Sequence, residues 1–199
     1  MGLHQFYKAG VIEAGCDEAG RGCLAGPVVA AAVILNPEKD YPHLNDSKKL
    51  TAANREQLRI IIEKESLAWA IGSASAGEID QINILQASFL AMHRAIEQLK
   101  LKPESLLIDG NRFVAYKEIT HQCIIGGDGL YQTIAAASIL AKTYRDTLMI
   151  AAHNDYPEYS WNKNKGYPTR AHKNAIAIYG LSPLHRLSFN WGKQLKLKM

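Results

Sequence analysis

The sequence predicts an α/β fold in which helices pack against a sheet, and two observations lead to this prediction. Short apolar segments of strand length alternate along the 199 residues with longer segments that keep helical spacing. This alternation is typical of a sheet covered by helices. The hydrophobic fraction of 47% in a chain of this length is sufficient for one sizeable core.

Five segments are predicted as strands. Each is short and apolar, and each is bounded by glycine, proline or polar residues that interrupt regular structure. A glycine-rich turn joins the first two. The predicted strands are residues 11–16, 27–35, 67–72, 105–108 and 122–125.

Four segments are predicted as helices. The second begins after Gly77, keeps helical spacing from Ile84 to Leu99, and is stopped by Lys102-Pro103. From residue 156 onward the chain is aromatic and basic. We therefore expect a main unit over residues 1–155 and a small helical extension over residues 156–199. The other predicted helices are residues 52–65, 131–153 and 169–179.

Composition narrows the classes of protein without selecting one. The net charge of +4 and the pI of about 8.9 are compatible with an anionic partner. Cys16, Cys23 and Cys123 form no CxxC pair, so neither a disulfide framework nor a structural zinc site is expected. No apolar run approaches the ~18–20 residues of a membrane span, and no secretory signal is present. A soluble intracellular protein is predicted.

The strongest local signal is the adjacent acid pair Asp17-Glu18, which follows an apolar strand and precedes Gly20-Arg21-Gly22. Two acids beside a core are unfavourable unless a cation neutralises them. Glycines let the backbone approach another molecule closely. Neighbouring side chains on a strand point to opposite faces, so the two acids can share one metal only if the strand ends or bends there.

Two further acids are predicted to join this pair. Asp109 ends a later strand, and Asp146 shares a helix face with Ala135 and Ile139, so it is expected to point toward the sheet. Carboxylates from separate segments are typical of a site for hard divalent cations. Taken alone, Asp109 is also compatible with a turn residue and Asp146 with a surface ion pair. Asp128 is predicted to be a helix N-cap outside the metal set.

The order of motifs along the chain resembles that of bacterial ribonuclease HII, the type 2 branch of the ribonuclease H family. The resemblance covers residues 11–189, and each motif alone is weak. The motifs are Cys16–Gly22 with Ala25–Val28, Asn45–Leu50, Ile108–Gly110, Ile134–Ile139 with Ala141-Lys142 and Arg145-Asp146, Gly166–Thr169 with His172, and His185-Arg186 with Ser188-Phe189.

The resemblance implies a ribonuclease H-like mixed sheet flanked by helices, with a C-terminal extension that contributes to substrate binding. It implies a cytoplasmic, monomeric endonuclease of ribonucleotide excision repair. Such an enzyme cuts the RNA strand of RNA–DNA hybrids and cuts 5′ of single ribonucleotides in duplex DNA. It uses two Mg²⁺ or Mn²⁺ ions and leaves 3′-hydroxyl and 5′-phosphate ends.

The resemblance also assigns residues to roles. It implies that backbone groups of the glycine turn contact the ribose 2′-hydroxyl and that Tyr167 packs on the neighbouring deoxyribose. Lys48 is favoured as a phosphate contact, with Arg145 a further candidate, and His172 and His185 are expected to be structural. The implied metal ligands are Asp17, Glu18, Asp109 and Asp146, and the implied glycine-turn residues are Gly20, Arg21 and Gly22.

Three alternatives remain open from the sequence. Type 1 and type 3 ribonucleases H need runs of ribonucleotides. The adjacent acids argue against type 1, and the ten residues before the first strand argue against the extra N-terminal domain of type 3. A non-catalytic nucleic-acid binder is the third alternative. Acids at all four positions argue against it.

Overall fold

The computed structural model describes residues 2–45, 47 and 50–189. Its centre is a five-stranded sheet in the order β3-β2-β1-β4-β5. The first three strands pair antiparallel, whereas β4 pairs parallel with both β1 and β5, so the sheet is mixed as predicted. The strands are β1 Glu13–Ala19, β2 Val28–Ile34, β3 Ala68–Ala74, β4 Ser105–Asp109 and β5 Thr120–Ile124.

Within the described ranges the chain forms five α-helices. Three of them start at a Ser or Thr whose side chain accepts a hydrogen bond from the backbone amide three residues on, which satisfies a free amide of the first turn. The short helix α4 was not predicted, because four residues show no periodicity. The helices are α1 Ala52–Glu65, α2 Ala76–Glu97, α3 Gln132–Asp155, α4 Trp161–Asn164 and α5 Arg170–Tyr179.

Helices cover both faces of the sheet. All seven residues of β2 are buried, with α2 packed on one face and α1 and α3 on the other. Two glycines allow this close packing. A β-carbon on Gly15 would overlap the backbone of Thr133 in α3, and one on Gly72 would overlap the backbone of Ala91 in α2.

The segment after α3 folds back on the loop between β1 and β2. Tyr159 and Trp161 are buried in an apolar cluster with Leu24 and Met149. These rings therefore belong to the core of the extension. No helix in the part of the chain that the structure describes is long and apolar enough to span a bilayer.

Two local predictions are wrong. Strand β1 continues to Ala19 instead of ending at residue 16, because β2 supplies partners as far as the pair Ala19–Val29. Asp128 does not cap α3 but lies in a one-turn 3-10 helix, Gly127–Gly129. Helix α3 follows Tyr131, and the amide of Gln132 donates to the carbonyl of His4, so no side-chain cap is needed there.

The close approach of β1 and α3 gives a stability prediction. Gly15→Ala should lower the free energy of unfolding by about 1–3 kcal/mol or more, because backbone atoms must move to admit the methyl group. Gly77→Ala is the matched control. Its β-carbon would meet only Ser75 Oγ, at an ordinary contact distance of 4.0 Å, so it should raise stability by about 0.5–1 kcal/mol. Denaturant unfolding measures both, and equal effects would contradict the packing argument.

Candidate active site

The pairing of β1 with β4 brings three of the predicted acids together. The two strands run parallel with Cys16 opposite Ile108, so Asp17 and Asp109 follow next in register on one side of the sheet. Glu18 comes directly after Asp17. All three lie at the carboxyl ends of their strands, where sites in α/β sheets form.

Burial and mutual repulsion act on these carboxyls. Asp17 is only 5% exposed, and its burial raises its pKa well above the ordinary value. The negative charges of Glu18 and Asp109 raise that pKa further, while a hydrogen bond from Ser138 and the amide of Glu18 lower it. Burial also raises the pKa of Glu18, which the Arg21 guanidinium opposes. The site therefore carries more negative charge than its protein neighbours neutralise.

Each of the three carboxylates is engaged with a donor of its own. The Glu18 amide donates to Asp17 Oδ1 at 2.6 Å, and Arg21 Nη1 donates to Glu18 Oε1 at 3.0 Å. The Gly127 amide donates to Asp109 Oδ1 at 2.7 Å. In this arrangement, no three His, Cys, Asp or Glu side chains within residues 2–45, 47 and 50–189 are placed to hold a metal ion together. The donor chemistry nevertheless fits Mg²⁺ or Mn²⁺, which prefer carboxylate oxygens.

Asp128 is a site candidate that the sequence reasoning set aside. It follows Gly127, whose amide bonds Asp109, and it is buried at 5% exposure. The strand before it, β5, pairs parallel with β4, so Asp128 approaches the same edge of the sheet as Asp109. The signal in the sequence was an acid that follows a predicted strand within Gly126-Gly127-Asp128-Gly129.

Asp146 lies in a different environment. Its Oδ1 accepts a hydrogen bond from Lys142 Nζ at 2.6 Å, which is the i,i+4 pairing that the sequence left open. It is eight residues beyond Ser138 in α3, or about 12 Å along the helix axis. Its charge acts on Lys165 and Tyr167. Asp146 as a metal ligand therefore stays a prediction, without support from this geometry.

The glycine turn is held by two buried arginines. Arg186 donates to both Arg21 O and Gly26 O, while Arg145 donates to Ala25 O and Pro27 O. The prediction that Arg145 contacts phosphate is wrong, because its guanidinium is buried and satisfied by carbonyls.

The conformation of the turn itself requires glycine. Gly20 has φ +98°, and a side chain there would also overlap Arg145. Gly22 is exposed, with open space where a β-carbon would be. The turn therefore presents backbone next to Glu18, while the Arg21 side chain stays 51% exposed.

Tyr167 lies across the loop from this turn. Its ring is 38% exposed, with Lys142 Nζ at 5.6 Å and Arg145 Cζ at 5.9 Å from the ring centre. Burial of the hydroxyl raises the pKa of Tyr167. Lys48, the predicted phosphate contact, lies outside the described residues.

A buried histidine pair holds the backbone of Tyr167. His172 Nδ1 donates to Tyr167 O at 2.9 Å, and its Nε2 accepts from Trp161 Nε1 at 3.0 Å. His185 Nε2 lies 3.2 Å from the same His172 nitrogen and so must be the donor, while its Nδ1 accepts from the Ser182 amide. Both histidines are structural, as expected. Their network needs neutral rings.

Comparison with known proteins identifies the family. A family model described as Ribonuclease HII matches residues 14–191. The chain belongs to the ribonuclease HII family. It is therefore a ribonuclease H enzyme, a hydrolase that acts on nucleic acid.

Curated relatives of this ribonuclease HII family member are similar over nearly their whole length. The ribonuclease HII of Bacteroides thetaiotaomicron is 63% identical over 188 residues, which are 94% of each chain. That of Porphyromonas gingivalis is 60% identical over 189 residues, which are 95% of this chain and 94% of the relative.

Solved structures show the same architecture. The ribonuclease H2 of Pyrococcus horikoshii has a TM-score of 0.75 and 25% identity, and the match covers 90% of this chain and 94% of that one. The Bst ribonuclease HIII, solved in complex with Mn²⁺, has a TM-score of 0.63 and 18% identity, with 90% of this chain and 67% of that one covered. At that identity the second likeness shows the fold alone.

The histidine network predicts a pH dependence of stability. Burial lowers the pKa of His172, and burial with the neighbouring His172 lowers that of His185 from 6.5 to about 4. Below pH 6.5 the unfolded chain therefore binds protons that the folded chain does not. The stability contributed by the network should fall as the pH drops from 6.5 toward about 4, by up to ~1.4 kcal/mol per pH unit for each histidine.

Two histidine variants separate this effect from that of the buried carboxyls. The raised pKa values of those carboxyls increase the free energy of unfolding as the pH falls, which is the opposite direction. His185→Gln should have a shallower loss of unfolding free energy between pH 6.5 and 4 than the wild type. His43→Gln, at an exposed position, should keep the wild-type slope. Parallel curves for wild type and His185→Gln would show that the network does not titrate as described.

Proposed function

We propose that the chain is an endoribonuclease that hydrolyses the RNA strand of RNA–DNA hybrids and cuts duplex DNA 5′ of a single ribonucleotide, as in ribonucleotide excision repair. The products carry 3′-hydroxyl and 5′-phosphate ends. The observation that supports this most strongly is the position of three carboxylates at the ends of β1 and β4, beside a glycine turn that presents its backbone. Acids in that place suit a reaction at phosphorus, and an open backbone suits recognition of a sugar hydroxyl.

We propose that two divalent ions, Mg²⁺ or Mn²⁺, are held by Asp17, Glu18 and Asp109, with Asp128 as the fourth acid. The supporting observation is the buried carboxyl of Asp17, whose pKa is raised by burial and by the charges of Glu18 and Asp109, since a bound cation would favour its ionised form. The Mn²⁺ complex of the Bst ribonuclease HIII is consistent with such a cofactor. When bound, such ions supply activation of the attacking water and stabilisation of charge on the leaving oxygen.

The protein's own groups would select the substrate. Backbone groups of Gly20, Arg21 and Gly22 would hydrogen-bond the ribose 2′-hydroxyl, while Tyr167 packs on the adjacent deoxyribose. A site that bonds a hydroxyl rejects the substrate without it, because the buried partner is left unpaired. Arg186 supports this role, since it donates to the carbonyl of Arg21 within the turn, and Arg145 holds Ala25 O and Pro27 O in the loop that follows it.

The remaining expectations become part of the same proposal. Residues 1–155 would form the catalytic core, and residues 156–199 an extension that contributes Tyr167 to substrate binding. Lys48 would contact a phosphate. Cys16, Cys23 and Cys123 are unpaired in the structure, which is consistent with a cytoplasmic location. A monomer is the proposed working form.

The function is tested on duplex DNA that contains one ribonucleotide, beside a hybrid with an all-RNA strand. With Mg²⁺ or Mn²⁺ we expect one cut 5′ of the lone ribonucleotide, and no cut with chelator. Cutting of the long hybrid alone would assign the chain the specificity of type 1 or type 3. Tight binding without any cut would indicate a non-catalytic binder.

Substitution of the acids tests the proposed ligand set. Asp17→Asn and Asp128→Asn should each lower the cleavage rate by about 10²–10³-fold or more, because the reacting phosphate loses its electrostatic support. Asp146→Asn should lower the rate far less than Asp128→Asn. Asp155→Asn, at an exposed position near the end of α3, is the control for loss of a carboxylate.

Single-turnover kinetics at saturating enzyme measure these rates. Loss of cleavage in Asp146→Asn with near-normal cleavage in Asp128→Asn would reverse the assignment of the fourth ligand. Near-normal cleavage by Asp17→Asn would contradict the mechanism altogether.

A further inference from the structure

A basic groove lies beside the candidate active site, between α1, α3 and the loop that carries Tyr167. Its volume is about 440 Å³. Four basic and two acidic side chains line it, and one of the acids, Glu56, is paired with Arg59, which is not among the lining residues. The basic side chains are Arg55, Lys142, Lys163 and Lys165.

Three of the four cations that line this groove donate to protein acceptors before any ligand binds, and Lys165 Nζ does so to Asn162 O. Arg55 donates to Ser47 O at 2.9 Å and Leu50 O at 2.6 Å, and Arg145 donates to the carbonyl of Lys165 at 2.8 Å. Lys142 is held by its bond to Asp146. Pre-organised cations lose little conformational freedom on binding an anion.

The same cations repel one another. Burial lowers the pKa of Lys165, and the nearby charges of Lys142 and Arg55 lower it further, whereas Asp146 raises it. Asp146 is thus the carboxylate that partly neutralises the positive charge of these basic side chains. An anion with more than one acceptor oxygen would neutralise that charge further, and phosphate groups are the typical partners of such clusters.

Distance along α3 relates this groove to the acid cluster. Ser138, which hydrogen-bonds Asp17, precedes Lys142 by four residues and Asp146 by eight. These separations are about 6 and 12 Å along the helix axis. In one strand of a nucleic-acid duplex, these distances correspond to the rise of about two and four nucleotides. If the strand runs along α3, a phosphate in the groove would lie about two to four nucleotides from the reacting phosphate.

We propose that this groove binds one uncut phosphodiester of the nucleic-acid substrate, with Lys142 and Lys165 as its ligands and Asp146 as a carboxylate that competes for Lys142. The proposal rests on the proposed function, because it takes the bound polymer to be the substrate duplex. It gives Asp146 a role in the strength of binding in place of metal coordination.

The test measures how protein variants bind duplexes in which one backbone phosphate is replaced by an uncharged group. Duplexes with one ribonucleotide carry a single methylphosphonate, which removes one charge, at successive positions on either side of the ribonucleotide. Binding is measured with chelator present, so that no cleavage interferes. For the wild type, we expect one or two positions at which the neutral group weakens binding by about 3- to 10-fold.

Lys165→Gln should weaken binding of the unmodified duplex by a similar factor, and the neutral group at those positions should then have no further effect. The slope of log affinity against log salt should fall by about one. Lys142→Gln provides a second variant, and Asp146→Asn should tighten binding. Lys100→Gln, an exposed lysine after α2, is the matched control and should leave the slope and the scan as in the wild type.

A methylphosphonate effect that persists undiminished in both Lys165→Gln and Lys142→Gln would overturn the proposal, as would an equal change in Lys100→Gln. Cleavage of the unmodified duplex by the wild type with Mg²⁺ is run alongside. If the lysine variants abolish the methylphosphonate effect but the wild type does not cleave, the groove is assigned and the proposed function is refuted. If the wild type cleaves but the lysine variants keep the methylphosphonate effect, the proposed function stands and the groove assignment is refuted.

Discussion

Repulsion among three carboxylates at one edge of the sheet is the constraint on which the rest of the site depends. The parallel pairing of β1 and β4 places Asp17 and Asp109 side by side, and Glu18 follows in the same strand. Nearby donors limit the unfavourable energy: the amides of Glu18 and Gly127 and the Arg21 guanidinium. Protein dipoles and one exposed cation offset only part of this repulsion, which is the basis for the proposal that the site holds divalent ions.

The surrounding backbone is adapted to this cluster. Gly15 lets α3 approach β1 closely, which brings Ser138 to Asp17. A side chain on Gly127 would crowd both Ile134 and Asp109, so glycine keeps its amide next to the carboxylate. Close packing of the sheet and α3 thus serves the site as well as the core.

Two buried arginines join the loop between β1 and β2 to the segment that carries Tyr167. Arg145 reaches from α3 to the loop after β1 and to the carbonyl of Lys165, and Arg186 reaches from the C-terminal segment to the glycine turn. The glycine turn and Tyr167 are therefore held relative to each other from both sides. Every one of these acceptors is a backbone carbonyl, and Gly20 leaves the space that the Arg145 side chain occupies.

Sequence patterns predicted well the features that depend on neighbouring residues in the chain. Helix α1, predicted at about residues 52–65, spans Ala52–Glu65, and the side chain of Thr51 caps its start. The end of β1 and the role of Arg145 were missed because they depend on tertiary partners: the pairing with β2 in one case, and carbonyls up to 120 residues away in the other. Asp128 was set aside because an N-cap and a site acid look alike in sequence. Only the pairing of β5 with β4 distinguishes them.

The central claim is that these strand-end carboxylates form the ion site of the enzyme. Calorimetric titration of Mn²⁺ into the wild type, Asp17→Asn and the control Asp155→Asn tests it most directly. The account predicts that Asp17→Asn binds Mn²⁺ at least ~10-fold more weakly than the wild type, with Asp155→Asn unaffected. Equal Mn²⁺ affinity in all three proteins would contradict it.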